Sequence, residues 1–461
     1  MNKFVKLFWI AIKGEEKNFT TGSINRAIFL LSVPMILEMV MEALFALVDA
    51  FFVSRVSINA VATVGLTESV ITLVYSIAIG LSMATTAMVA RRIGEGDKEK
   101  AAIAAVQSIW IALAFSTCVC LVGIFFSENI LRAMGGSESL IAEGVWYTRL
   151  IFGGNYVIMF LFLLNAIFRG AGDASVAMRS LWIANIINII LDPCFIFGLG
   201  PFPELGLTGA AVATNIGRGI GVVYQVYMLS RGVVIVRIAR RHIVMSWEVV
   251  KKLFEVSIGG MGQYIIASSS WIFLMRIISE FGESAVAGYT ISIRILIFSI
   301  LPSWGMANAA STLVGQNLGA DQPNRAEQSV WRTAFYTMIF LGIVSVIYFI
   351  SARSIVSLFH PDPTVVQMGV ASLRIICLGY VFFAYGMVIS QAFNGAGDTR
   401  TPTIMNFFCF WLIQIPLAYL LGLHLEVGPN GVFWAVAISE SILAIICIYI
   451  FRLGRWKTIK I

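Results

Sequence analysis

Apolar runs long enough to cross a bilayer recur at residues 27–53, 61–90, 101–126, 141–168, 176–199, 207–230, 252–280, 285–314, 327–351, 366–393, 402–424 and 430–452. A helical crossing needs about 20 apolar residues, so the pattern predicts an all-α polytopic membrane protein with twelve transmembrane helices. The polar interruptions carry the chemistry. In the first run, AIFLLSVPMILEMVMEALFALVDAFFV, steps of four and seven put Glu38, Glu42 and Asp49 within about 40° of one another on one helical stripe. A carboxylate facing lipid at the bilayer centre costs roughly 2.5 kcal/mol or more, so this stripe is expected to face a bundle interior or a wet cavity. The fifth run carries a second stripe, Asn185, Asn188 and Asp192. Pro193 lacks an N–H, which leaves the Ile189 carbonyl without its helical donor.

The composition agrees: 461 residues, 59% hydrophobic and 12% charged, with mean hydropathy +0.87. Residues 2–13 mix Lys with Phe and Trp, as an interfacial helix on the inner leaflet does, and no removable signal peptide is expected. The net charge of +7 sits in loops and reads as topology information, with no nucleic-acid partner. Arg91, Arg92, Lys98 and Lys100 follow the second run, and Arg231, Arg237, Arg240, Arg241, Lys251 and Lys252 follow the sixth. The loop after the third run is acidic instead, with Glu128, Glu138 and Glu143. Both termini are therefore expected in the cytoplasm of a prokaryote, with the chain multi-pass in its plasma membrane. The six cysteines lie in apolar runs without zinc spacing, and the three histidines sit in or beside loops, so a metal site or triad built on them is not expected.

An internal repeat organises the chain. Gly170-Ala171-Gly172-Asp173 recurs as Gly395-Ala396-Gly397-Asp398, and the same shift of 225 pairs Gly94 with Gly319 and Ala60-Val61-Ala62 with Ala285-Val286-Ala287. The expected units are an interfacial segment 1–26, a first lobe 27–230, a cytoplasmic linker 231–251, a second lobe 252–455 and a tail 456–461. Parallel repeats of this kind flank a cleft near the midplane. At this shift Glu38 maps to Gln263, Glu42 to Ala267, Asp49 to Leu274, Asn188 to Ile413 and Asp192 to Leu417. The fold is thus made without these acids in the second lobe, which points to a function for them in the first.

Asp49, Asn188, Asp192, Thr214 and the Ile189 carbonyl lie at similar depth, where they could surround a small hard cation such as Na⁺ or share a proton. Asn185 is equally well read as an interhelical tie. Two roles stay open for Glu38 and Glu42: facing the cleft and attracting cationic substrates, or pairing with a neighbour such as Asn165 in the fourth run. Glu68 is expected on the outer surface. Arg149, Arg218, Arg276, Arg294 and Arg374 are expected to snorkel or to close ion pairs within a lobe, without a transport role.

The segments LSVPMILEMVMEALFALVDAFFVSRV, ARRIGEGDKEKA, FRGAGD, NIILDPCFIFGLG, GLTGAAVAT and NGAGDTRTP, in this order and spacing, resemble the multidrug and toxic compound extrusion (MATE) family over essentially the whole chain. Within it the chain is similar to the branch related to the DNA-damage-inducible protein F. That resemblance implies ion coupling through the helix-one Asp, Asp49, fifteen residues after the helix-one proline, Pro34, about which the helix bends. It implies a coupling set of Asn188, Asp192 and Thr214 and a cleft Asn at Asn165. The Glu of helix seven and Asp of helix ten that the NorM-like branch uses are absent, with Ala267 and Phe382 near those places.

The expected function is a secondary antiporter, coupled to H⁺ or Na⁺ and needing no cofactor, that exports amphipathic, often cationic organic compounds. A flippase for a lipid-linked saccharide, or another lipid, is the nearest alternative. An intramembrane aspartyl protease is disfavoured although GxGD occurs twice, because both copies fall in expected cytoplasmic loops that repeat with the lobes. No Walker-A pattern supports direct ATP drive.

Overall fold

The computed structural model describes residues 3–15, 18–232 and 234–461. Met1, Asn2, Glu16 and Lys17 of the expected N-terminal segment and Val233 of the expected linker lie outside the described residues. A short helix, α1 (Lys3–Lys13), packs Ala11 against the bundle and leaves Trp9 exposed. Six spans follow: α2 (Ile24–Val53), α3 (Ile58–Gly94), α4 (Lys98–Ala133), α5 (Glu138–Gly153) continued by α6 (Asn155–Ala171), α7 (Ala174–Phe197) and α8 (Leu207–Arg231). The second set is α9 (Trp247–Ser279), α10 (Glu283–Gly319), α11 (Pro323–Ser357), then α12 (Pro363–Leu378) and α13 (Tyr380–Ala396), which meet at a 59° bend. The eleventh span, Arg400–His424, runs through α14 (Arg400–Asn406), a π-helical stretch Phe407–Gln414, α15 (Ile415–Tyr419) and a second π stretch Leu420–His424. The last span is α16 (Pro429–Arg452).

Up to eleven of these spans are long and apolar enough to cross a membrane on hydropathy alone, counting α12–α13 once. The twelfth, α8, is less apolar because it carries Thr214, Arg218 and Gln225, all buried within the protein. Polar residues on a crossing helix are tolerated when they face the bundle.

The repeated Gly-Ala-Gly-Asp is a helix stop. Gly172 (φ 91°) and Gly397 (φ 89°) cap α6 and α13 in the left-handed region that only glycine adopts freely. Asp173 then accepts from the Ile235 N–H at 2.7 Å, and Asp398 from the Thr401 N–H at 3.2 Å. Asp398 thus serves its own turn, while Asp173 fastens the linker after α8.

The repeat register shifts within the second lobe, which corrects two sequence equivalences. The Leu199 N–H donates to the Cys194 carbonyl and the Gly206 N–H to the Ile196 carbonyl; their counterparts are Leu425 to Leu420 and Gly428 to Gly422. The end of span eleven is therefore displaced by 226 residues. A π turn inserts one residue into a helix, and the stretch Phe407–Gln414 supplies it. Asn188 consequently corresponds to Gln414 and Asp192 to Ala418, not to Ile413 and Leu417. The shorter loop before α16 then moves the register to 222, pairing Gly206 with Gly428 and Gly209 with Gly431.

The lobes meet on the side that carries the chain ends. There the Thr312 hydroxyl donates to the Arg169 carbonyl (3.1 Å), the Gln316 side chain to the Gly170 carbonyl (3.0 Å), and Arg91 to the Ala396 carbonyl (3.4 Å). At Gly80, a Cβ would stand 2.5 Å from the Ser257 carbonyl oxygen of α9. Gly80→Leu should wedge this seam apart and shift the population toward the opposite arrangement. In a cysteine-free background carrying Asn308→Cys, the expected result is faster labelling of Cys by a membrane-impermeant thiol reagent added from the terminus side. Unchanged labelling would mean that the seam is not a gate.

Candidate functional site

Two cavities open from the space between the lobes and share the walls Ile79, Met83, Tyr264, Trp304 and Gln391. The first-lobe chamber has a volume of about 290 Å³ and is lined by Glu38, Glu42, Asn165, Arg169 and Arg218, among others. The second-lobe chamber, about 350 Å³, is bounded by α9, α10, α12, α13, span eleven and α16.

In the first chamber the acids are matched by bases. Glu38, 1% exposed, accepts from Asn165 at 3.0 Å and from Arg169 at 3.2 Å. Asn165 is in turn held by Ser180 and Gln225. Glu42 accepts from Arg218 at 3.0 Å and from Asn185 at 3.3 Å. Arg218 also lies 4.9 Å over the Phe45 ring. The Asn165 contact is one of the two roles the sequence leaves open for Glu38, whereas Arg169 stands just past the fourth apolar run, 141–168, where the sequence pattern predicts a loop. The helix continues to Ala171, so the Arg169 side chain is delivered into the lobe.

The second lobe repeats the Glu38 contact without charge. Gln263 and Asn394, which stand 225 residues beyond Glu38 and Arg169, exchange hydrogen bonds of 2.9 and 3.2 Å. The Glu38–Arg169 pair thus occupies a tie between the same two helices that both lobes use. This corrects the inference that Glu38 has no scaffold role.

A second polar cluster lies further along α2, α7 and α8. The Asn188 side-chain amide donates to Asp192 Oδ1 (3.3 Å) and to Thr214 Oγ1 (3.2 Å). Asn188 Oδ1 and Asp192 Oδ2 are buried and accept from no group among the described residues. Buried oxygens without donors, which occur here on Glu38, Asn155 and Asn185 too, leave lone pairs that an ion, a proton or a water can meet. Asp49 is close enough for its charge to act on Asp192, and Glu68 and Arg218 act on Asp49. Hydrogen bonds join Asn188, Asp192 and Thr214, the Asp49 charge acts on Asp192, and Arg218 links this cluster to the Glu42 ion pair. Glu68 of α3 is exposed at the protein surface, and its charge acts on Asp49. Pro34 lies within α2, which runs unbroken through it.

One acid escaped the sequence reading. Glu440 on α16 lines the second-lobe chamber, which therefore carries an acid of its own at a position outside those compared. With the corrected shift of 222 it stands where the first lobe has Arg218. A constant shift of 225 hid that equivalence.

Two six-helix lobes that surround chambers inside a membrane protein are an architecture that transporters use. The family model MatE matches residues 34–194 and 261–420, and the chain belongs to this family, whose members are multi-pass integral membrane transporters. It is 26% identical over 436 residues to the probable multidrug resistance protein NorM of Thermotoga maritima, covering 94% of this chain and 93% of that protein. A crystal structure of a MATE protein in the straight conformation superposes with a TM-score of 0.90 at 27% identity over 100% of both chains. The bent conformation gives 0.86 at 27% identity, over 99% of this chain and 97% of that one.

Proposed function

We propose that this chain is a secondary antiporter that exports amphipathic organic molecules, driven by H⁺ or Na⁺ bound at Asp49, Asn188, Asp192 and Thr214. The observation that carries the reading is the pair of donorless buried oxygens on Asn188 and Asp192 beside Asp49. The second lobe replaces three members of that set with the apolar residues Leu274, Ala418 and Val436. Small hard cations take oxygen ligands, and carboxylate, amide and hydroxyl oxygens are what this cluster offers. Multidrug relatives such as NorM support the substrate class.

The Lys and Arg bias of the loops supports cytoplasmic termini. With that orientation the seam closes the cytoplasmic side, and both chambers belong to an outward-facing arrangement. Ion binding must favour one arrangement over the other for transport to be coupled. Pro34, inside α2 and without an N–H to donate, is the place where that helix can bend as the lobes rearrange.

The deciding experiment uses reconstituted vesicles loaded with ethidium or norfloxacin, under an imposed pH gradient and then an imposed Na⁺ gradient. Efflux driven by either gradient supports export and names the ion. No efflux under both, with movement of a lipid-linked saccharide instead, would replace it with the flippase reading.

A further inference from the structure

The two chambers differ in how their charge is balanced. In the first, Glu38 faces Arg169 and Glu42 faces Arg218, so the wall presents matched pairs. In the second, the position of Glu42 is taken by Ala267 and that of Arg218 by Glu440. Glu440 is the only acidic or basic residue lining that chamber, and among the described residues no hydrogen bond or ion pair reaches its carboxylate. Its neighbours on the wall include Val436, Ala437 and Leu443, which offer carbon and no counter-charge.

We propose that the second-lobe chamber is a binding site for lipophilic organic cations, with Glu440 as the counter-charge. This deepens the export reading and rests on it. An unpaired carboxylate within a membrane-spanning helix is costly, and a bound cation offsets that cost. Trp271, Tyr380, Phe383 and Phe410 line the same chamber, and aromatic faces attract cations. Glu440 is the one carboxylate on this wall, with amide and hydroxyl groups of Gln263, Ser390, Gln391 and Asn406 also lining the chamber, and its aromatic faces suit a bulky organic ion better than a bare Na⁺. At about 350 Å³ the chamber has the size of a small-molecule pocket.

A second feature points to the same place. The π-helical stretch Phe407–Gln414 brings Phe410 to the chamber wall, and π turns inside helices occur frequently at functional sites. Ile79, Met83, Tyr264, Trp304 and Gln391 line both chambers, so a cation held in the second lies beside the first.

The test is equilibrium binding of radiolabelled tetraphenylphosphonium, a permanent cation, to the purified full-length protein in lipid nanodiscs. Glu440→Gln should weaken binding about tenfold or more, while Glu440→Asp, which keeps the charge, should stay near wild type. Tetraphenylborate, an anion of the same shape, should bind Glu440→Gln better than wild type. Each variant is compared at an unchanged elution profile and melting temperature. Equal cation binding by wild type and Glu440→Gln would overturn the site. If that protein still exports ethidium, only the Glu440 assignment falls. A wild-type protein that neither binds tetraphenylphosphonium nor exports ethidium would sink the site and the export reading together.

Discussion

Vesicles carrying Asp49→Asn are expected to lose gradient-driven export down to the level of empty vesicles, while the protein elutes and melts as wild type does. An amide of the same shape neither takes up a proton in this range nor supplies the charge that holds Na⁺. The ion then binds both arrangements of the lobes alike, and a ligand without differential affinity shifts no equilibrium. Folding should survive because the second lobe builds the equivalent helix with Leu274 at this position, fully buried. Wild-type export by the variant would remove Asp49 from the mechanism. The measurement is the initial rate of ethidium efflux after an imposed pH or Na⁺ step.

The second large effect is on stability. Arg218→Met leaves Glu42 facing an uncompensated site, with only Asn185 left as a donor. Removing one partner of a buried ion pair costs about 3–5 kcal/mol, whereas removing both is often neutral. Glu42 is partly accessible from the chamber, which places the loss toward the lower end of that range. The double variant Glu42→Gln, Arg218→Met should recover most of the loss in melting temperature. A double variant no more stable than Arg218→Met would show that the arginine acts through packing over Phe45 instead of charge. The companion pair has a natural control. Glu38→Gln with Arg169→Asn recreates the Gln263–Asn394 contact of the other lobe and should fold.

Much of the architecture was legible without coordinates. The spans, the two lobes and the 225-residue repeat are one-dimensional facts, because a bilayer demands continuous apolar runs and a duplication preserves spacing. That Asn188, Asp192 and Thr214 share one depth was reachable as well, and hydrogen bonds join these three. Arg169 was not, because a helix end cannot be set to within a turn from composition, and a single turn moves it from loop to lobe interior. Glu440 was hidden by a register that changes twice, at a π turn and at a short loop.

What the sequence alone determined is that this chain crosses a membrane many times as two like halves, with excess acid in the first. Only the tertiary structure decided which acids are neutralised. Glu38 and Glu42 meet arginines from other helices, while among the described residues the Asn188–Asp192–Thr214 cluster keeps two oxygens without donors and no ion pair reaches Glu440. Spacing along a chain orders charges on one helix face. Whether a charge is balanced depends on what a neighbouring helix brings within about 4 Å, and that is set by packing.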